Sequence, residues 1–439
     1  MASLDPLVIT GIMFFSMIVL MAMGAPLAWA LMISGMSSAY MMFGPGGLDL
    51  LLSSAYSAMD NFLLVSLPLF IFMGLVLERS GITDDLFEMI HRLMGNIPGG
   101  LGVGTVLICA LIAAMAGVSG AATVSLGIIA LPAMLKRGYH KRLVTGTIMA
   151  GGALGFLIPP SVLMIVYAFL ARESVGKLFA AGLMPGLMLA GIYMIYILIR
   201  CRINPALGPA APDDERFTTR EKLESLRHII APGLLVVTVL GCIIGGITSP
   251  SEASAVGAGG AMLLAALRGK FSWDLLRYVM LSTTKITGML LWIAIAAVFF
   301  SRIYMGLGAG MVIEDLIQDF SLSPYVVIIF MLVSFFALGM FLDDFAILFI
   351  TVPLYIPIVR ELGFDTTWFA VLFIISMQSA YLTPPFGYNL FYMRSVAPKS
   401  ITIVDIYRSA LPFVALQILG LALIVIFPEI ALWLPNLLF

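Results

Sequence analysis

Two proline pairs set the chemistry open to this 439-residue chain. Pro159-Pro160 lies in the run Gly155-Phe-Leu-Ile-Pro-Pro-Ser161, inside an uncharged window at 143–171. Pro384-Pro385 lies in Leu382-Thr-Pro-Pro-Phe-Gly387, inside a second such window at 366–393. Consecutive prolines remove two backbone donors and push the preceding residue out of the helical region, so each helix must break. In lipid, the freed carbonyls are costly unless something satisfies them. A bound cation does so, and the N-terminus of the following half-helix offers donors to an anion. A kink satisfied by neighbouring helices is the plainer alternative for a single proline, and repetition of the pair at matching positions weighs against it.

Two tight turns are the natural partners of these breaks: Ala116-Gly117-Val118-Ser119-Gly120, and the segment from Gly339 to Asp343-Asp344. Each is small or polar and flanked by apolar arms, expected to be about half a bilayer long apiece. Ser119 and the local carbonyls suit a hard cation, which prefers oxygen ligands; for Ser119 alone, helix packing is the alternative. Asp343 and Asp344 are expensive at membrane depth, and such groups are functional by default. At an aqueous vestibule, one of the pair would simply be solvated.

The elements that position these groups follow from composition. Hydrophobic residues make up 61% of the chain and charged residues 11%, against roughly 25% charge in soluble domains. Mean hydropathy is +1.10. A globule in water could not hide that much apolar surface, so the solvent is lipid. A net charge of −1, with no large basic patch, argues against nucleic-acid binding. Cys109, Cys201 and Cys242 have neither metal spacing nor an even count and read as apolar filler. His91, His140 and His228 are scattered. The 29 Met and 29 Phe read as lipid-facing or core residues. No HExxH or GxxxxGK[ST] motif occurs, which disfavours an intramembrane metalloprotease and an ATPase within this chain. The first apolar run lacks a basic n-region and a cleavage site, and is expected to stay as a span.

Charge-free windows of about 20 residues mark further spans, with Gly24-Ala25-Pro26 splitting the first stretch in two. The one soluble-looking stretch, 201–227, carries Pro205, Pro209, Pro212 and Asp213-Asp214-Glu215, and reads as a linker. With the N-terminus outside and each turn entering and leaving on one side, all but four of the 23 basic residues fall inside. The exceptions are Arg172, Lys177, Arg302 and Arg360, the asymmetry expected of a correct topology. Charge alone does not distinguish a re-entrant hairpin from two full spans.

The halves match at a nearly constant offset. Pro26 pairs with Pro250, Pro132 with Pro357, Pro159-Pro160 with Pro384-Pro385, and Pro185 with Pro412; Asp84-Asp85 corresponds to Glu314-Asp315. Each half then holds about five spans, one re-entrant helical hairpin and one broken helix. The odd span count turns the second half upside down. The predicted fold is an all-α polytopic membrane protein of two inverted repeats, with the site near the bilayer midplane. The first repeat occupies 1–200, with its hairpin near 101–136 and its broken helix near 142–170. A cytoplasmic linker follows at 201–228. The second repeat occupies 229–439, with hairpin and broken helix near 322–360 and 366–395.

Four stretches carry a family resemblance: 155–167 (GFLIPPSVLMIVY), 247–258 (ITSPSEASAVGA), 339–357 with its Leu-Asp, and 382–391 (LTPPFGYNLF). Together and in order, they resemble the large membrane subunit of tripartite ATP-independent periplasmic (TRAP) transporters, the DctM-type permeases, essentially end to end. The stretch through Tyr392-Met-Arg394-Ser-Val-Ala-Pro398 is most similar to the branch associated with 2-oxo acids, lactate, chloroaromatic acids or sulfonates. The resemblance implies an elevator-type, sodium-coupled importer of a small organic anion in the bacterial inner membrane, of ion-transporter-superfamily architecture. It also implies a small four-span membrane subunit and a periplasmic binding protein. By motif, one sodium site would use Ser119 with backbone oxygens near Gly155, Ile158 and Pro159. The other would use Thr383 with oxygens near Gly339, Ala380 and Phe386. Where the family usually has a first tip serine, this chain has Ala116. Ser161, Asn389 and Asp343 are candidates for substrate contact. Arg394 either neutralises an anionic substrate or is a positive-inside anchor. Arg302 pairs either with Glu314 or with the binding protein, and Glu252, beside Pro250, reads as a helix cap. The alternative is a stand-alone ion-coupled symporter of the same architecture, working without a binding protein.

Overall fold

The computed structural model describes residues 6–117, 119–210, 217–308, 323–385 and 387–439, and every regular element among them is helical. The first half runs α1 (Pro6–Ala22), α2 (Leu27–Phe43), α3 (Asp49–Met59), α4 (Ser66–Arg79), α5 (Ile82–Met94), α6 (Gly100–Ala116), α7 (Ser119–Lys136), α8 (Lys141–Ala153), α9 (Val162–Ala171) and α10 (Val175–Ile203). A short helix, α11 (Thr219–Ser225), belongs to the linker. The second half runs α12 (Arg227–Ile244), α13 (Pro250–Leu267), α14 (Trp273–Gly306), α15 (Pro324–Gly339), α16 (Asp344–Glu361), α17 (Thr366–Tyr381), α18 (Tyr388–Val396), α19 (Ile403–Ile426) and α20 (Glu429–Leu438).

The order of elements repeats. The hairpin α6–α7 recurs as α15–α16, the interrupted pair α8/α9 as α17/α18, and the long α10 as α19. One difference is local: α3 and α4 are separate helices interrupted at Asp60-Asn61, whereas their counterpart α14 is a continuous 34-residue helix. The charge-free window at 286–301 covers only its apolar end. Asp274, Arg277 and Lys285 are exposed, so the helix continues past that window as a solvated extension.

Burial separates two kinds of helix. In α17 every residue is buried, and in α8 every residue from Leu143 to Ala153 is. A helix apolar on all sides belongs in a core, and these two carry the breaks. By contrast, α12 buries only Pro232, Val239 and Ile243, and presents Ile230, Leu234 and Val237 outward. In a membrane protein, that exposed apolar face is solvated by lipid. Among the described residues, six helices are long and apolar enough to cross a bilayer, and seven shorter apolar ones accompany them.

Ends are capped by local chemistry. Ser249 and Glu252 close a capping box that starts α13, with Pro250 at its first turn, and Thr402 and Asp405 do the same for α19. The linker is stapled to the first hairpin's base: the Gly99 and His140 amides donate to the Gly208 and Leu207 carbonyls at 2.8 and 2.9 Å.

Candidate functional site: two tips against two breaks

Neither proline pair lies on a continuous helix. After α8 comes one 3-10 turn (Leu154–Phe156), then an irregular stretch, and α9 starts only at Val162. After α17 the described residues, Leu382 to Pro385 and Gly387, are irregular, and α18 starts at Tyr388. Both proline–proline bonds are cis.

Each hairpin tip meets the break of its own half. Gly117 takes φ +65°, and a Cβ there would come within 2.8 Å of the Pro160 carbonyl oxygen, so only glycine fits. The Val162 amide donates to the Gly117 carbonyl at 3.2 Å. In the second half, Gly339 packs against Ala380, and the Tyr381 hydroxyl donates to Asp344 Oδ1 at 2.6 Å. Each break has a half-helix on either side, so the tips share its level within the helical layer. The hairpin arms are longer than the half-bilayer length expected: 17 and 18 residues in α6 and α7, or roughly 25 Å at 1.5 Å per residue.

The halves are crossed at the centre. The Ser119 hydroxyl, at the start of α7, donates to Asn389 Oδ1 on α18 at 2.9 Å. Asn389 Nδ2 donates in turn to the Met149 carbonyl on α8 at 3.1 Å. Ser119 and Asn389 are both buried. Phe156 and Tyr381, the residues just before the two breaks, pack edge to face at 4.8 Å. They also stand at equivalent positions of the repeat, so they meet where the two halves face each other.

The donor set is all oxygen. Among the described residues, no hydrogen-bond donor reaches the carbonyls of Ile158 and Pro159. Ser119 and Thr383 both spend their protons elsewhere, Thr383 on the Ser379 carbonyl at 2.7 Å, which leaves their lone pairs free for a cation. The Gly155 backbone lies in the buried 3-10 turn beside them. The Ala380 carbonyl is already bonded, by the Thr383 amide at 3.0 Å. Phe386 lies outside the described residues, as do Val118, Glu314 and Asp315. No group of three or more His, Cys, Asp or Glu fit for a metal occurs among the described residues, so the oxygens here suit an alkali cation better than a transition metal.

Of the residues proposed to contact substrate, Ser161 caps α9 and donates to the Phe156 carbonyl at 2.7 Å, which makes it part of the break's own scaffold. Asp343 caps α16 by accepting from the Ala346 amide at 2.8 Å. Arg394 is exposed, and its Nη1 donates to the Ile401 carbonyl at 2.7 Å, an anchoring contact. Arg302 reaches Ser53 and Ser54 at 3.4 and 3.3 Å on α3. Sequence reasoning missed Tyr381, Phe156 and the Met149 carbonyl. The repeat offset, applied to aromatic residues as it was to prolines, pairs the first two. A cavity of about 1000 Å³ lies between α1, α14, α15 and α16; its lining is mostly apolar, Phe14, Met17, Phe330 and Leu354 among others, with Tyr304, Thr351 and Tyr355 as its polar members.

Residues 14–430 match the family model described as tripartite ATP-independent periplasmic transporter, DctM component. The chain is 33% identical to the C4-dicarboxylate TRAP transporter large permease protein DctM of Pseudomonas aeruginosa, over 90% of this chain and 91% of that one. It is 30% identical to the ectoine TRAP transporter large permease protein TeaC of Halomonas elongata, over 98% and 100%. Its fold resembles the crystal structure of the Alcanivorax borkumensis YdaH transporter, with a TM-score of 0.65, 16% identity and coverage of 89% and 90%. The chain belongs to the DctM family of TRAP transporters, as a multi-pass membrane permease subunit and not an enzyme.

Proposed function

We propose that this subunit imports a small organic anion, a carboxylate, 2-oxo acid or sulfonate, across the bacterial inner membrane in symport with Na+. The observation that carries the reading is the pair of helix breaks, each closed by a glycine-bearing tip and crossed through Ser119, Asn389 and Met149. In this reading Na+ is a co-transported substrate, held by Ser119 with the Gly155, Ile158 and Pro159 oxygens, and by Thr383 with oxygens of Gly339, Ala380 and Phe386. Bound cations would neutralise the uncapped carbonyls, and the half-helix N-termini at Val162 and Tyr388 would then present backbone donors to the anion. Asn389 and Asp343 would orient the substrate. The named relatives carry a C4-dicarboxylate and ectoine, small acids or zwitterions.

The movement is an elevator. The core helices α17 and α8, the latter buried from Leu143 to Ala153, form the moving body with the hairpins packed on them, and the lipid-facing helices from the Pro26 and Pro250 segments form the scaffold. A small four-span subunit widens that scaffold, and a periplasmic binding protein delivers the substrate to the N-terminal, outer face. The test is uptake by proteoliposomes holding this chain, its small subunit and its binding protein. Uptake is expected to require an inward Na+ gradient and all three proteins. Equal uptake with K+ in place of Na+ would refute the coupling, and full activity without a binding protein would favour the stand-alone symporter.

A further inference from the structure

A second site lies away from the breaks, where the start of α8, the end of α10 and the start of α19 bring Lys141, Arg142, Arg200 and Arg408 to one face. A cavity of about 220 Å³ opens there, lined by His140, Arg142, Arg200, Arg408, Tyr196 and Phe413 among others. The nearest carboxylate, Asp405, is already engaged: it accepts from Lys141 at 2.6 Å and from Arg142 Nε at 3.4 Å, and it caps α19 through Thr402. Among the described residues, Arg200 and Arg408 have no acidic partner. Among the described residues, three guanidinium groups and an imidazole therefore line one cavity with no carboxylate in its wall, and Asp405 beside it is spent on Lys141 and one edge of Arg142.

The surroundings point to what would fill it. The floor is aromatic and apolar, made by Tyr196, Pro412 and Phe413. The same two helices continue away from the cavity with apolar residues facing outward, Ile195 at 58% and Ile199 at 53% exposure on α10 and Leu411 at 59% on α19. A polar anion pocket that opens onto a lipid-facing apolar surface matches the two ends of a phospholipid. Guanidinium forks fit phosphate oxygens bidentately, and basic pockets between spanning helices recognise anionic head groups.

We infer that Arg142, Arg200 and Arg408 form a site for the phosphate of an anionic phospholipid, whose acyl chains lie along α10 and α19. The site is separate from the transport path, yet it grips the start of α8, whose other end carries the first break. Occupancy would hold α8, α10 and α19 together at that face.

The test uses the purified full-length chain in detergent, titrated with phosphatidylglycerol, phosphatidylcholine or inorganic phosphate and read by native mass spectrometry. Phosphatidylglycerol is expected to bind more tightly than phosphatidylcholine. The double variant Arg200→Gln/Arg408→Gln is expected to weaken it about thirtyfold, from two interfacial charges. Arg200→Lys/Arg408→Lys, which keeps the charge but not the guanidinium fork, is expected to lose less than the double Gln variant, and Arg302→Gln, remote from the cavity, nothing. Equal phosphatidylglycerol affinity in wild type and the double Gln variant would overturn the site. Inorganic phosphate binding that phosphatidylglycerol does not displace would overturn the lipid assignment in favour of a free anion.

Discussion

The two breaks are built alike and finished differently. Around the first, every residue from Gly151 to Ala168 is buried, and the tip that closes it is Gly117 and Ser119, small and uncharged. Around the second, Thr383 and Pro384 are partly exposed, Pro385 is exposed, and the tip carries Asp343 and Asp344. Symmetric ancestry supplies the backbone plan, and divergence of the tips makes one side a sealed, neutral joint and the other a more open, acidic one. Position 117 corresponds by the offset of 225 between the diproline pairs to Leu342, so the left-handed glycine of the first tip has no equivalent in the second. The buried first break is the one whose geometry tolerates least, and the second is partly exposed at its proline pair.

That contrast is most easily broken at the tips themselves. Gly117→Val forces a β-branched residue into a positive φ and against the Pro160 carbonyl, and is expected to abolish uptake in proteoliposomes with the protein still inserted in the membrane. Leu342→Ala, at the equivalent second position, is expected to keep most activity; comparable losses at both positions would erase the asymmetry. Next in size is Asn389→Ala, which strands the buried Ser119 hydroxyl and removes a second donor from the helical Met149 carbonyl. At about 1–3 kcal/mol for the stranded hydroxyl, uptake is expected to fall about tenfold and the thermal midpoint to drop. A double-mutant cycle with Ser119→Ala should show coupling of about 1 kcal/mol; additive effects would mean the bond does not join the halves.

Smaller again is Thr383→Val, which removes one hydroxyl oxygen on the open side at nearly constant volume. It is expected to raise the Na+ concentration for half-maximal uptake about fivefold, the worth of roughly one hydrogen-bond-like contact, with little change in substrate affinity. An unchanged Na+ dependence would take Thr383 out of the ligand set. The smallest effect belongs to a cap far from both breaks. Ser249→Ala opens the box with Glu252 and should cost about 1 kcal/mol of stability by thermal unfolding, with no shift in Na+ dependence.

Much of this was legible in the residues. The prolines gave the breaks because the missing amide is a property of the residue itself, whatever surrounds it. The repeat was visible for the same reason: Pro132 and Pro357, or Pro159 and Pro384, mark backbone geometry that both halves need. The crossing of the halves was not legible. Ser119 and Asn389 are 270 positions apart, and nothing local to either says which face of α18 meets α7. The tip–break contacts were expected in kind, but the arm lengths were not, because a charge-free window measures where charge stops and not where a helix turns. The contact of Arg302 with the Ser53 and Ser54 hydroxyls on α3 was not legible either, because it is set by the packing of α14 on that helix; Glu314, one of the partners expected from charge, lies outside the described residues. The basic cavity escaped notice because Arg142, Arg200 and Arg408 come from three separate stretches, each ordinary as a positive-inside flank.

The central claim is that two oxygen-lined breaks, joined through Ser119 and Asn389, bind Na+ together. It is tested most directly by the initial rate of substrate uptake against Na+ concentration, at constant ionic strength, in proteoliposomes with both partner proteins. A sigmoidal curve with a Hill coefficient above one, reduced towards one by Thr383→Val, is the predicted result. A rate independent of Na+, or the same hyperbolic curve in wild type and variant, would contradict it.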